Sequence, residues 1–285
     1  MSNAAHGFVR HCFRGKFMKY PILMVHGMGF RDYKHICYWG RIPKALKKLG
    51  AKVYFGEQDS NGSAESNAGQ LAVRIDSILS ETKAEKLNVI AHSKGGLDVR
   101  YLISTLGYAD KIASVTTLST PHNGSRTVDM LTDRLPDGLV RFGCGVSDIW
   151  FRLLGDKNPS TYSAVRLFRT DEAKRFNEKN PDREGIYYMS YGFAMKNAAS
   201  DMTMLIPWLT VSSVEGECDG LLAPEAVRWT NFMGICRGSR RRGISHCDEV
   251  DMRRSKLPVC CGGRDYGDIT EFYADIFKTL ESKGF

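Results

Sequence analysis

Leu87-Asn88-Val89-Ile90-Ala91-His92-Ser93-Lys94-Gly95-Gly96-Leu97-Asp98-Val99-Arg100-Tyr101 changes character in its middle. Leu87 to Ala91 is a short apolar run with β-branched Val89 and Ile90, the pattern of a buried strand. From Lys94 onward the spacing predicts a helix with Leu97, Tyr101 and Leu102 on one face. Ser93 stands at the junction, with small residues, Ala91 and Gly95, two positions to either side. A strand that turns this sharply into a helix lifts its junction hydroxyl off the sheet edge and aims the following N–H at the same point. Ser93 therefore reads as a nucleophile; an ordinary serine in a strand–helix loop is the alternative.

On either side of this stretch, strands and helices alternate. Pro21 to Val25 predicts a strand that runs into His26-Gly27-Met28-Gly29, and Ile36 to Leu49 an amphipathic helix closed by Gly50. Lys52 to Phe55 reads as a second strand, Ala68 to Leu79 as a helix, and Ile112 to Leu118 as the strand after the elbow helix. Gly185 to Ser190 resumes as a strand, and Met202 to Val211 fits helix or strand. Ala226 to Phe232 predicts the last strand, and Thr270 to Leu280 a closing amphipathic helix. This alternation implies an α/β fold, a mostly parallel central sheet flanked by helices. Function in such sheets gathers at the carboxyl ends of the strands, where the His26-Gly27 turn and Ser93 both fall.

Between 125 and 185 the alternation stops. That stretch holds short helical patterns with Leu139, Phe142, Trp150 and Phe151 among its apolar residues, and reads as a helical lid or cap. A plain helical subdomain is the alternative. With Phe30 after the first turn, these four are the expected substrate-facing side chains. The domain reading is one α/β unit over 18–285, the insertion within it, and a leader or tag-like segment over 1–17.

The chain has 285 residues, 42% hydrophobic and 25% charged, enough to bury a substantial core. A net charge of +8 favours anionic surfaces such as phospholipid. It does not imply nucleic acid, because the basic residues are scattered and no nucleic-acid-binding signature is present. The densest cluster, Arg237 with Arg240, Arg241 and Arg242, reads as a solvated loop. No apolar run approaches the roughly 18 to 20 residues that span a bilayer. No signal-peptide pattern is seen, so the expected location is cytoplasmic with reduced thiols; a secreted protein whose signal has been removed is the alternative. None of the eight cysteines forms a C-x-x-C pair, which argues against structural zinc.

A serine hydroxyl needs an adjacent base, itself oriented by an acid, and in hydrolases of this architecture the chain order is Ser, acid, His. His246 is the only histidine beyond position 122, so the base is nearly forced. His122 follows Ser93 too closely and reads as a structural histidine of its turn. Asp219, in an Asp-Gly turn, is the favoured acid, with Asp201, Glu215 and Glu217 as competitors. Two N–H donors are needed for an oxyanion. Lys94 supplies one as the residue after the nucleophile, its ammonium expected in solvent, and Met28 between two glycines supplies the other.

Five blocks carry a resemblance to a known family: Val25-His26-Gly27-Met28-Gly29, Ala91-His92-Ser93-Lys94-Gly95-Gly96, Thr120-Pro121-His122-Asn123-Gly124-Ser125, Asp219-Gly220-Leu221 and His246-Cys247-Asp248-Glu249-Val250. Together they resemble the bacterial triacylglycerol lipases of the Pseudomonas and Bacillus types, in the α/β-hydrolase superfamily. The resemblance implies an eight-stranded type of sheet, ester hydrolysis through an acyl-enzyme with the triad Ser93, Asp219, His246, and a 125–185 lid that opens at a lipid surface. The implied substrate is an acyl ester or lipid, and no cofactor is required. Pseudomonas-type members also hold a structural calcium; Asp201 and Asp248 match two of its ligands, whereas the next ligand position is Met252. Cys218 and Cys247 neighbour two triad members and form a candidate disulfide. Amide or thioester hydrolysis by the same triad, and an inactive binding module, are the rival readings.

Overall fold

A strand that reads as an unbroken apolar run must be covered on both faces. The computed structural model, which describes residues 18–31, 37–238 and 242–285, shows how this is done. Strands β1 (Ile22–Val25), β2 (Val53–Phe55), β3 (Leu87–His92), β4 (Ile112–Leu118), β5 (Tyr187–Ala194), β6 (Phe232–Arg237), β7 (Val259–Cys261) and β8 (Arg264–Tyr266) form one sheet in the order β2-β1-β3-β4-β5-β6-β7-β8. Pairing is parallel from β2 through β6 and antiparallel at β6–β7 and β7–β8. Every residue of β1, β3 and β4 is buried.

Between the strands run α1 (Ile42–Lys48), α2 (Ala64–Thr82), α3 (Lys94–Ser104), α4 (Arg126–Arg134), α5 (Asp137–Leu153), α6 (Thr161–Leu167), α7 (Thr170–Lys179), α8 (Leu205–Glu215), α9 (Pro224–Val227) and α10 (Ile269–Ser282). Side chains of β1 alternate between two cores. Ile22 and Met24 join Ile42 and Leu46 of α1 and Phe272 and Ile276 of α10; Leu23 and Val25 join Leu71 and Ile75 of α2 and Val99 and Leu102 of α3. Each of these fully buried aliphatic side chains contributes about 2 kcal/mol of burial. The parallel order sends the ends of β1 and β3 to the same edge of the sheet, and with them Met28 and Ser93.

The expected last strand over Ala226–Phe232 is corrected. Pro224 starts the short helix α9, and the strand begins only at Phe232. Gly234 and Arg237 break the apolar pattern of β6, and its half-buried residues lack the signature of a central strand. The antiparallel hairpin β7–β8, three residues a side, is too short for periodicity to register. The ambiguous 202–211 stretch becomes α8. The first helix starts at Ile42, with Pro in its first turn, rather than near 36. Ile36, Arg240, Arg241 and the 1–17 segment lie outside the described residues. Among the described residues no helix is long and apolar enough to cross a membrane.

Candidate active site

Ser93 adopts φ 54°, ψ −134°, a conformation that side-chain-bearing residues rarely take. Its surroundings leave it no other. The Ser93 N–H donates to the Leu118 carbonyl at 2.9 Å, and the Thr120 hydroxyl donates to the Ser93 carbonyl at 2.8 Å. A Cβ at Gly95 would stand 2.4 Å from the His26 carbonyl oxygen, and one at Gly27 would stand 2.7 Å from the Ser93 Cβ. Only glycine at these two positions lets β1, the elbow and α3 approach so closely.

Asp219 and His246, 27 residues apart, meet near this elbow: His246 Nδ1 and Asp219 Oδ2 are 2.8 Å apart, and the His246 backbone N–H donates to the Asp219 carbonyl at 2.9 Å. The other carboxylate oxygen accepts the N–H groups of Leu221 and Leu222, each at 2.8 Å. Burial would raise the Asp219 carboxyl, but His246 and these hydrogen bonds hold it down at about 2. The His246 ring lies 4.4 Å, centroid to centroid, from that of His92, the residue before the nucleophile. No hydrogen bond joins Ser93 Oγ to His246 among the described residues, and such contacts commonly tighten only with substrate.

The competing acids are engaged elsewhere. Glu215 accepts hydrogen bonds from Ser125 and Thr127 at the start of α4, Glu217 pairs with Arg237 at the surface, and Asp201 pairs with Arg253. His122 is buried in its turn, bonded to Thr117 Oγ1 at 3.0 Å, and accepts a hydrogen bond from Arg100 at 3.3 Å.

Glu249 is the residue that sequence reasoning missed. It is fully buried, accepts from Ser119 Oγ at 2.9 Å and His92 Nε2 at 3.1 Å, and its Oε1 lies 3.7 Å from His246 Nδ1. His92 in turn accepts from the Tyr38 hydroxyl at 2.6 Å. Burial and the adjacent Asp219 carboxylate push the Glu249 carboxyl well above the usual range. The only signal was its spacing of three from His246, inside the acidic run Asp248-Glu249-Val250-Asp251, which looks like any surface loop. His92, His246 and Glu249 can bring one ligand atom each within 4.8 Å of one another, but these atoms already serve one another and Asp219.

Met28 lies between Gly27, whose N–H donates to Tyr38 Oη, and Gly29, whose N–H donates to Asn61 Oδ1. The Met28 N–H has no partner among the described residues. The Lys94 N–H is at the first turn of α3, where helix geometry leaves donors open. The Lys94 ammonium is not in solvent. It is 1% exposed and bonded to Asp98 at 2.6 Å, and Asp98 also accepts from Asn67 at 2.8 Å. Packing of α3 against α2 closes over the side chain, and a buried carboxylate one turn on neutralises it.

Phe30, Leu139, Phe142 and Trp150 are exposed, and Phe151 is half-buried. Cys218 and Cys247 do not pair; both are free and buried or half-buried, and the disulfide joins Cys236 to Cys261 instead. That bridge ties β6 to β7 and encloses the loop that carries His246.

Asp201 and Asp248 do come together, but around Arg253 rather than an open cavity. Arg253 donates to Asp201 Oδ2 and, at 2.9 Å, to Asp248 Oδ1; Arg242 donates to Asp248 Oδ2 at 2.8 Å. Calcium needs six to eight oxygen ligands, and here three of the four carboxylate oxygens accept from guanidinium groups and the fourth from Thr203. The site does not fit calcium.

Comparison with known proteins adds four findings. The family profile of palmitoyl protein thioesterases matches residues 21–170. A triacylglycerol lipase of Vibrio cholerae is 37% identical over 256 residues, 82% of this chain and 80% of that protein. Among solved structures, a Bacillus licheniformis lipase in its mature form superposes with a TM-score of 0.61 at 19% identity, over 83% of this chain and 88% of that one. The Staphylococcus hyicus lipase gives a TM-score of 0.63 at 16% identity, over 93% and 97%.

Proposed function

The chain belongs to the triacylglycerol lipase family and is a serine carboxylester hydrolase of the α/β-hydrolase fold, and from that premise we propose that it cleaves acyl esters through an acyl-enzyme on Ser93. The observation that carries this reading is the convergence of a strained junction serine with a buried Asp219–His246 pair at the carboxyl edge of the sheet. His246 Nε2 takes the proton as Ser93 Oγ attacks the ester carbonyl, and the N–H groups of Met28 and Lys94 bind the oxyanion. The imidazole then protonates the departing alcohol. A water deprotonated by His246 attacks the acyl-enzyme and releases the acid. Asp219 keeps Nδ1–H in place and stabilises the imidazolium that forms. The reaction needs no cofactor.

The substrate in this reading is a lipid or other long-chain acyl ester met at an interface. Helix α5 is the lid. Its Leu139, Phe142, Val146, Ile149, Trp150 and Leu153 recur at helical spacing and are exposed, an unpartnered apolar face suited to acyl chains. The Cys236–Cys261 bridge favours an oxidising location, hence the secreted alternative over the cytoplasmic one. The palmitoyl protein thioesterase match supports a second reading, in which the same triad cleaves a long-chain thioester.

The test is hydrolysis of p-nitrophenyl esters from acetate to palmitate, beside a palmitoyl thioester, by wild type and Ser93→Ala. Loss of about 10³-fold or more in kcat for the variant is expected. An active Ser93→Ala would overturn the assignment, and the ratio of thioester to ester turnover selects between the two readings.

A further inference from the structure

The histidine loop leaves β6, carries His246 and Asp248, and returns through Arg253 to the β7–β8 hairpin. It touches the segment after β5, Ser200 to Thr203, through four charged side chains. Asp201 and Asp248 are both nearly fully buried. Asp201 Oδ1 accepts from the Thr203 N–H at 2.9 Å and the Thr203 hydroxyl at 2.7 Å, and Oδ2 accepts from Arg253 Nη2. Asp248 Oδ1 accepts from Arg253 Nη1 at 2.9 Å; Oδ2 accepts from Arg242 Nη2 at 2.8 Å and the Ser245 N–H at 3.2 Å. Arg242 Nε also reaches the Ser200 carbonyl at 2.7 Å.

Two carboxylates and two guanidiniums make a neutral quartet in which all four carboxylate oxygens are hydrogen-bonded. A divalent cation would have to displace Arg253, because a guanidinium does not lose its proton. Met252, at the next position of the ligand pattern, offers a thioether, a poor donor for a hard cation.

We propose that Arg253 is a built-in counter-ion for the Asp201–Asp248 pair. It holds the His246 loop against the segment after β5 without calcium, and its removal opens a calcium site. The planar fork suits the role, since two nitrogens of one rigid group reach one carboxylate on each side. Arg253 is thus a positioning residue for His246. The proposal relies on the triad reading only for its activity readout; the thermal measurements stand without it.

The experiment compares wild type and Arg253→Ala in EGTA and in a few millimolar calcium or magnesium. Thermal unfolding and p-nitrophenyl butyrate hydrolysis are followed together. For the wild type, Tm and kcat are expected to be the same in all three buffers. For R253A, Tm falls and kcat drops about ten-fold with KM held, and calcium but not magnesium restores both. Adding Asp248→Asn to R253A abolishes that rescue. A wild type whose Tm rises with calcium or falls in EGTA overturns the proposal, as does an R253A whose Tm ignores calcium. Should R253A fail to fold in any buffer, Arg253→Lys decides: it keeps a cation between the carboxylates and is expected to fold and ignore calcium, and stabilisation of R253K by calcium counts against the proposal. Loss of activity in every variant with the Tm pattern intact would indict the triad reading alone.

Discussion

Asp219 and Glu249 are buried carboxyls that face the same imidazole, at 2.8 and 3.7 Å from His246 Nδ1, yet their pKa values are shifted in opposite directions. Burial raises both. Asp219 offsets it with His246 and two backbone amides, whereas Glu249 has one hydroxyl, a neutral imidazole and the Asp219 charge beside it. Burial and the Asp219 charge thus favour the protonated form of Glu249, whose carboxyl braces His92 behind the nucleophile. Glu249→Gln, neutral and of the same shape, should leave kcat/KM within about three-fold, while Glu249→Ala strands the His92 N–H and should cost about 1–3 kcal/mol of stability. Denaturant unfolding and ester kinetics on the two variants check this; a collapse of activity in E249Q would mean that the ionised form is required. At this scale the sequence singled out Ser93 from a local turn and His246 by elimination, and the structure gives Ser93 its strained backbone and sets His246 against Asp219. Asp219 was only favoured over Asp201, Glu215 and Glu217, because a turn does not say which loop it faces.

Helix α5 shows how an element can depart from the rule that apolar stripes are core. Its stripe is regular, and Phe142 is 71% and Ile149 66% exposed, so the stripe is left largely uncovered by the described residues. Replacing Leu139, Phe142, Ile149 and Trp150 together by serine should leave Tm unchanged, because exposed positions contribute little to folding. The same variant should keep p-nitrophenyl acetate turnover within about two-fold and lose about ten-fold on emulsified triolein. Equal loss on both substrates, by pH-stat and absorbance assays, would remove the lid reading. The elbow is the opposite case. Strand β3 and helix α3 were legible to within a residue, because Ser93 joins them through contacts that glycines at 27 and 95 alone permit. The hairpin β7–β8 was invisible, since three-residue strands carry no period.

Across the whole molecule, the 125–185 insertion is clamped to the sheet through Arg100 and the His122 turn. Arg100 donates to His122 Nδ1 and to the Asn180 carbonyl, and Asn177 donates to the His122 carbonyl. Burial, with Arg100 beside it, lowers the His122 pKa well below its ordinary value, so the folded protein keeps this ring neutral. The unfolded chain takes up that proton below about pH 6.5 and the folded chain does not, so this group's linkage destabilises the fold as pH falls. The stability lead of wild type over His122→Asn should therefore shrink by about 1.4 kcal/mol per pH unit below about 6.5. Urea unfolding at pH 7.5, 6.0 and 5.0 reads it, and a constant lead would mean that His122 takes up its proton as readily in the fold as in the unfolded chain. The parallel sheet and the elbow were legible in the sequence, because periodicity and tight turns are properties of neighbouring backbone. Three contacts came from the folded chain alone: Asp219 with His246, Lys94 turned inward to Asp98, and Arg253 between Asp201 and Asp248. The first and third depend on how the loops after β5, α8 and β6 converge, whereas Lys94 is turned inward by the packing of α2 on α3. Contacts 27 and 52 residues apart obey no local period that a sequence could display.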